Sequence, residues 1–175
     1  AVVQGGSTIT QQLVKNYYLS LDRSFSRKIT EAIMSVLLEY HYEKEEILEA
    51  YLNEVYLGQA GGKGIHGFGL ASQHYFNRPL QELSIDRIAT LIALVKGPSY
   101  YDPWRYPSRA ISRRNLVLKN LVSHELLESE DFDWAMNQPL GLGKKSKSHY
   151  VFPAYMDLVK RQLREFYDND DLTSN

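Results

Sequence analysis

Apolar residues recur at separations of three and four along almost the whole chain, and no segment sustains the alternation of a half-buried strand. The fold class this predicts is mainly α. After Gly5-Gly6, Ser7 or Thr8 stands where an N-cap would accept from the first free N–H groups of a helix reaching about Leu19. In a second helix, over about 26–42, Ile29, Ala32, Ile33, Val36, Leu37 and Tyr40 fall on one stripe, so this is expected to be the central buried helix. A third, over about 44–55, should bury Ile47, Leu48, Tyr51, Leu52 and Val55.

Glycine then breaks the pattern. Six glycines fall between 58 and 69, with Lys63 and His66 among them, and the stretch reads as a mobile loop. A short helix at about 70–76 should stop at Asn77 and Pro79. Ser84 is placed to cap an apolar helix to Val95, with Leu83 and Ile88 spaced for a hydrophobic staple, and Gly97-Pro98 ends it. Ser108 and Ser129 are candidate caps for two further helices, the second ending near Asn137-Gln138-Pro139. The Gly, Lys and Ser of 141–148 read as a linker. Beyond it, Tyr155, Met156, Val159, Leu163 and Phe166 share one face of an amphipathic tail.

Composition narrows the function classes. A length of 175 residues with 43% hydrophobic content suits one main domain, and a net charge of −1 gives no field for general nucleic-acid binding, so any anion site must be local. No run approaches the ~18 apolar residues of a membrane span. The absence of cysteine excludes disulfides and thiolate metal sites. His41, His66, His74, His124 and His149 have no metal-ligand spacing, which argues against a protein-held zinc.

Two stretches concentrate the candidate chemistry. Thr8, Gln11, Gln12 and Lys15 share one face of the first helix, where an ammonium could meet phosphate and the amides could orient sugar hydroxyls; the bland alternative is a solvated helix face. Arg23, Arg27 and Lys28 gather at the start of the second helix. The macrodipole is already positive there and disfavours each cation by ~0.3 to 1 kcal/mol, so local stability does not account for them and an anionic ligand does. Glu31, four residues after Arg27, is either a surface ion-pair partner worth ~0 to 1 kcal/mol or an acid that orients those cations. Lys44, Glu49 and Asn53 read as structural support, hydrogen-bonding neighbouring helices. Lys96 and the Arg113-Arg114 pair are further candidates for a substrate phosphate. One arginine of that pair is expected to pack within the domain and the other to face the cleft, and the sequence does not choose between them.

Four motifs tie these residues together: GGSTITQQ at 5–12, RKxxE at 27–31, KxxILExYLN at 44–53 and RRxxVL at 113–118. In this order they resemble the glycosyltransferase family 51 domain, the peptidoglycan transglycosylase module of class A penicillin-binding proteins, and 53–58 with 95–105 is most similar to its 1b branch. The resemblance covers roughly 3–140. It implies a lysozyme-like helical transglycosylase domain over 1–140, a linker at 141–152, and the start of a transpeptidase domain at 153–175. It also implies polymerisation of lipid II into glycan strands, with inversion and release of undecaprenyl pyrophosphate.

By the same resemblance, Lys15, Arg23, Arg27 and Lys28 would neutralise the pyrophosphate. Glu31, the second essential acid of the family, would orient those cations or a divalent ion (Mg or Mn) carried by the pyrophosphate, with no cofactor bound by the protein alone. Thr30 stands where some relatives carry a basic residue. The family's first motif, which holds the general-base glutamate, would stand upstream of Gly5, and four residues precede that glycine here. The chain is therefore expected to be a fragment without its base, inactive alone.

The implied partners are lipid II, the growing glycan strand and cell-wall synthesis regulators, not nucleic acid. The implied location is the periplasmic side of a bacterial inner membrane, through an anchor elsewhere in the parent protein. A lipid-borne substrate further suggests an apolar surface near the glycine-rich stretch, for which Phe68, Tyr75 and Phe76 are candidates against a default of core packing. Two rivals remain open. One is a lysozyme-type hydrolase, against which the basic cluster argues because hydrolysis has no pyrophosphate leaving group; the other is a noncatalytic fragment that binds precursors or a partner.

Overall fold

The computed structural model describes residues 7–18 and 25–144. Helices dominate, as the spacing predicts: α1 (Ile9–Tyr18), α2 (Phe25–His41), α3 (Lys44–Glu54), α4 (Phe68–Phe76), α5 (Ile85–Val95), α6 (Pro107–Ser123) and α7 (Ser129–Asn137). Between α3 and α4 lie two antiparallel strands, β1 (Tyr56–Ala60) and β2 (Lys63–His66), and a 3-10 turn at Leu80–Glu82 leads into α5.

The main core lies where α1, α3, the strands, α4 and α5 meet. Leu13, Ile47, Tyr51, Val55, Leu57, Ile65, Tyr75, Leu91 and Leu94 are buried in it. A second, smaller core joins α5, α6 and α7 through Ala89, Ala93, Val117, Leu118 and Ala135, the alanines leaving room for Val117 and Leu118 of α6. Leu83 is buried and Ile88 packs against the main core, as the staple at the start of α5 requires. Thr8 closes the first helix, its Oγ1 accepting from Gln11 N–H at 3.2 Å. Ser84 occupies the N-cap position of α5 without a side-chain cap bond. The other two caps shift: Tyr106 precedes α6, which begins at Pro107, and Glu128 precedes α7.

Three expectations are corrected. The glycine-rich stretch is a hairpin rather than a loop, because Gly61 (φ 52°) and Gly62 (φ 86°) supply the two left-handed residues that a tight two-residue turn demands. The apolar stripe of α2 is exposed instead of central: Phe25 is 92% and Tyr40 83% exposed, and Ile29, Ile33, Val36 and Leu37 are also open. That helix packs on α1 and α3 through its other side, where Glu31 and Ser35 are buried, and none of the described elements covers the stripe. In α3, Ile47, Tyr51 and Val55 are buried as expected, whereas Leu48 and Leu52 are exposed.

After α7 the chain doubles back. Leu140 is buried, Leu142 packs against the main core, and Gly143 N–H donates to the Tyr75 carbonyl at 2.8 Å. This docked segment occupies the beginning of the expected linker; the rest of the linker and the amphipathic tail fall outside the described residues.

Candidate active site

The charged cluster lies in the first half of α2, which packs on α1 and is joined through Lys28 to Ser7 ahead of that helix. Glu31, nearly two turns into α2 and off its apolar stripe, is 1% exposed. Both its oxygens are engaged: Arg27 Nη1 donates to Oε2 at 2.8 Å, and Lys28 Nζ donates to Oε1. Lys28 also donates to Ser7 Oγ at 2.8 Å, linking α2 to the segment two residues ahead of α1. The Ser35 hydroxyl donates to the Glu31 carbonyl at 2.6 Å, one turn further on.

A carboxylate placed this deeply is costly unless paired, and removing a partner from a buried pair typically costs ~3 to 5 kcal/mol. Glu31 is thus not the surface partner that its spacing also allowed. Two cations on one carboxylate leave a local excess of positive charge. Arg27 is mostly buried while half of the Lys28 side chain reaches solvent, so the excess is presented on the Lys28 side.

The remaining residues of the first motif divide by face. Gln12 Nε2 donates to the Ser7 carbonyl at 3.3 Å and its Oε1 accepts from Tyr51 of α3 at 3.3 Å, so this amide braces the turn and does not lie free for substrate. Thr8 and Lys15 are exposed and Gln11 is half-buried. Lys15 forms no hydrogen bond or ion pair among the described residues, and it stands two helical turns beyond Thr8, about 10 Å along the axis. Arg23 lies outside the described residues.

Spacing arguments missed Thr10, which is buried and donates to Glu39 at 2.6 Å, a second tie between α1 and α2. They also missed Ser7 as a lysine contact.

Lys44, Glu49 and Asn53 are exposed along α3 and form no side-chain hydrogen bond or ion pair among the described residues, so the bracing expected of them is not made there. Lys96 is exposed at the C-terminus of α5. The paired arginines separate. Arg114 is 1% exposed and donates from Nη1 to the Gln138 carbonyl at 2.7 Å and from Nη2 to the Met136 carbonyl at 3.2 Å, closing the end of α7. Burial lowers its pKa from the ordinary guanidinium value, and the Asp86 charge acts in the opposite direction. Arg114 is therefore corrected from a substrate candidate to an internal pin, and Arg113 is the one that opens on a cleft.

Because α6 packs on α5 and α7, neither arginine joins the Arg27–Lys28–Glu31 cluster. Phe68, Tyr75 and Phe76 are buried in the main core, which removes them as an apolar surface. An apolar hollow lies instead between α1, the C-terminal end of α2 and α3, about 380 Å³ in volume, lined by Leu13, Tyr17, Leu38, Tyr42, Ile47 and Ala50 together with Glu46. Among the described residues no three His, Asp or Glu side chains are grouped to hold a metal ion.

Comparison with known proteins gives the family of the chain. The family model described as Transglycosylase matches residues 1–122. Penicillin-binding protein 1B of Vibrio cholerae serotype O1 is 53% identical over 163 residues, covering 93% of this chain and 21% of the relative. Its counterpart in Escherichia coli strain K12 is 49% identical over 162 residues, covering 93% and 19%. Penicillin-binding protein 1A of Aquifex aeolicus strain VF5 is 44% identical over 167 residues, covering 95% and 22%. The crystal structure of penicillin-binding protein 1A from Haemophilus influenzae has a TM-score of 0.52 at 23% identity, covering 93% of this chain and 20% of that one, a likeness of fold. The chain spans about a fifth of the length of the curated relatives it matches. With a family model over most of its length and identities near one half, the chain belongs to the transglycosylase family, as a glycosyltransferase family 51 domain of the penicillin-binding protein 1b branch.

Proposed function

We propose that this domain is a peptidoglycan glycosyltransferase that extends glycan strands from lipid II, and that the Arg27–Lys28–Glu31 cluster holds the departing undecaprenyl pyrophosphate. The observation that carries the reading is the buried Glu31 with a cation on each oxygen. Glycosyl transfer breaks the bond from the anomeric carbon to a pyrophosphate oxygen and forms one to the acceptor hydroxyl, with inversion. Charge builds up on the leaving oxygen, so donors fixed in advance beside it lower the barrier without reorganising.

Glu31 fixes Arg27 and Lys28 in place, and Ser7 holds Lys28 toward α1. With both oxygens engaged, Glu31 is the orienting acid in this reading, and the acceptor's proton goes to a different group. A divalent ion, if it takes part, would arrive on the pyrophosphate oxygens and add charge neutralisation there. The apolar hollow between α1 and α3 supplies a surface suited to an aliphatic chain. The hydrolase rival leaves the cation cluster without a use.

Lipid II, the growing strand and cell-wall synthesis regulators are the proposed partners, and the periplasmic face of the inner membrane the proposed place of work. No helix among the described residues is long and apolar enough to cross a membrane. We also propose that residues 1–175 alone bind lipid II without polymerising it, since the group that takes the proton is not among the residues assigned here. Lipid II binding and strand formation, measured side by side for this chain and for the protein as it occurs in the cell, test both parts. Strand synthesis by 1–175 alone would overturn the division of labour, and absence of lipid II binding by either form would overturn the substrate.

A further inference from the structure

A second cleft, of about 410 Å³, opens between α6 and the segment that joins it to α5. Tyr100, Ser108, Arg109, Ser112, Arg113 and Leu116 are among the residues that line it. Spacing explains how α6 furnishes its wall: Ser108 and Ser112, and likewise Arg109 and Arg113, are four apart and share a face. Two like charges at that separation destabilise an isolated helix by ~0.2 to 0.5 kcal/mol. No acid stands in the first turn of α6, and neither guanidinium is paired with a carboxylate among the described residues. Helix stability therefore does not account for the pair.

The side chains are nevertheless held in place. The Arg109 guanidinium sits 4.4 Å from the Tyr100 ring centroid and 4.3 Å from that of Tyr106, so aromatic faces fix it while its in-plane N–H groups stay available. Arg113 Nε is buried without a hydrogen-bond partner among the described residues, a donor for which the fold supplies no acceptor. Leu116 and the edge of Tyr100 add apolar surface beside these donors.

From these observations we infer that this cleft is a binding site for a small oxyanion carried on a ring, a phosphate or carboxylate group held by Arg109 and Arg113 while its ring packs against Leu116 beside the edge of Tyr100. Ser108 and Ser112 supply hydroxyls to the ring's substituents or to the anion. The site is separate from the Arg27–Lys28–Glu31 cluster, which α1 and α2 form. Its failure would leave the proposed transfer chemistry untouched.

The test uses the full chain, labelled with nitrogen-15, and follows the arginine Nε–Hε resonances during titration with phenyl phosphate and, separately, benzoate. Inorganic phosphate and phenol serve as probes lacking the ring or the charge. The expected result is saturable binding of at least one ring-bearing anion near 1 mM, with the Arg113 Nε–Hε signal moving and with phosphate and phenol binding at least several-fold more weakly. The tighter of the two ring anions identifies the source of the charge.

Arg109→Gln and Arg113→Gln should each weaken binding about 10-fold or more, as loss of a charge-assisted contact does, whereas Lys28→Gln should leave it unchanged. Arg109 is exposed, so Arg109→Gln decides the matter even if Arg113→Gln fails to fold. Equal affinity in wild type and Arg109→Gln, or movement confined to the Arg27 signal, would overturn the site. Inorganic phosphate binding as tightly as phenyl phosphate would overturn its ring half.

Discussion

Replacing Glu31 by Gln keeps the volume and removes one charge. In the folded protein that leaves Arg27, mostly buried, and Lys28, half-exposed, facing a neutral amide that can accept from one of them and must turn its own NH₂ toward the other. A fully buried pair broken in this way costs ~3 to 5 kcal/mol. Water reaches Lys28 and can relieve part of that, so the expected loss is about 2 to 3 kcal/mol, measured by urea unfolding.

A cycle with Lys28→Gln isolates the cause. If Lys28 is held by Glu31, the double variant should lose less than the sum of the two single losses, with a coupling of about 0.5 to 3 kcal/mol. Turnover of the variant placed in the protein as it occurs in the cell, assayed as strand formation from lipid II at a temperature where it is fully folded, should fall more than ~10-fold, equivalent to about 1.4 kcal/mol in the barrier. Additivity within ~0.5 kcal/mol would refute the shared carboxylate. A folded Glu31→Gln protein with normal turnover would show the acid to be structural alone.

Lys15→Ala and Arg27→Ala, in the protein as it occurs in the cell, should each raise the barrier by roughly 1.5 to 3 kcal/mol, read as kcat/KM with lipid II; near-normal values at unchanged stability would remove them from the site. Arg114→Met should lower stability by about 3 kcal/mol, because two carbonyls at the end of α7 lose their donor, while the folded remainder keeps its turnover. Gly58→Ala places a methyl group against the Tyr75 hydroxyl and should cost ~1 to 3 kcal/mol. Tyr75→Phe, which removes that hydroxyl at the expense of its 3.0 Å bond to the Leu57 carbonyl, should recover part of the loss in the double variant, as thermal melts would show.

Periodicity located the helices because 3.6-residue spacing is a local property, and the motifs selected Arg27, Lys28 and Glu31 because charge at a helix start has no local reason to be there. The hairpin was also legible: Gly61-Gly62 between Leu57 and Ile65 is a two-residue turn signal, and reading the glycines as looseness hid it. What stayed illegible depends on partners distant in sequence. An apolar stripe says that a face is suited to burial, not that a described neighbour covers it, which is why α2 misled. Adjacent arginines point in different directions by about 100°, and only the position of α7 decides that Arg114 faces inward.

The docked segment after α7 is a mechanical element. Its Gly143 N–H grips the Tyr75 backbone, and the Tyr75 hydroxyl reaches the first strand of the hairpin through Leu57. Tension applied at Lys144 would pass through the Gly143–Tyr75 bond into α4, and from the Tyr75 hydroxyl on to β1. The docked segment and the hairpin thus hold the same residue from two sides, and undocking one would leave Tyr75 anchored by the other alone.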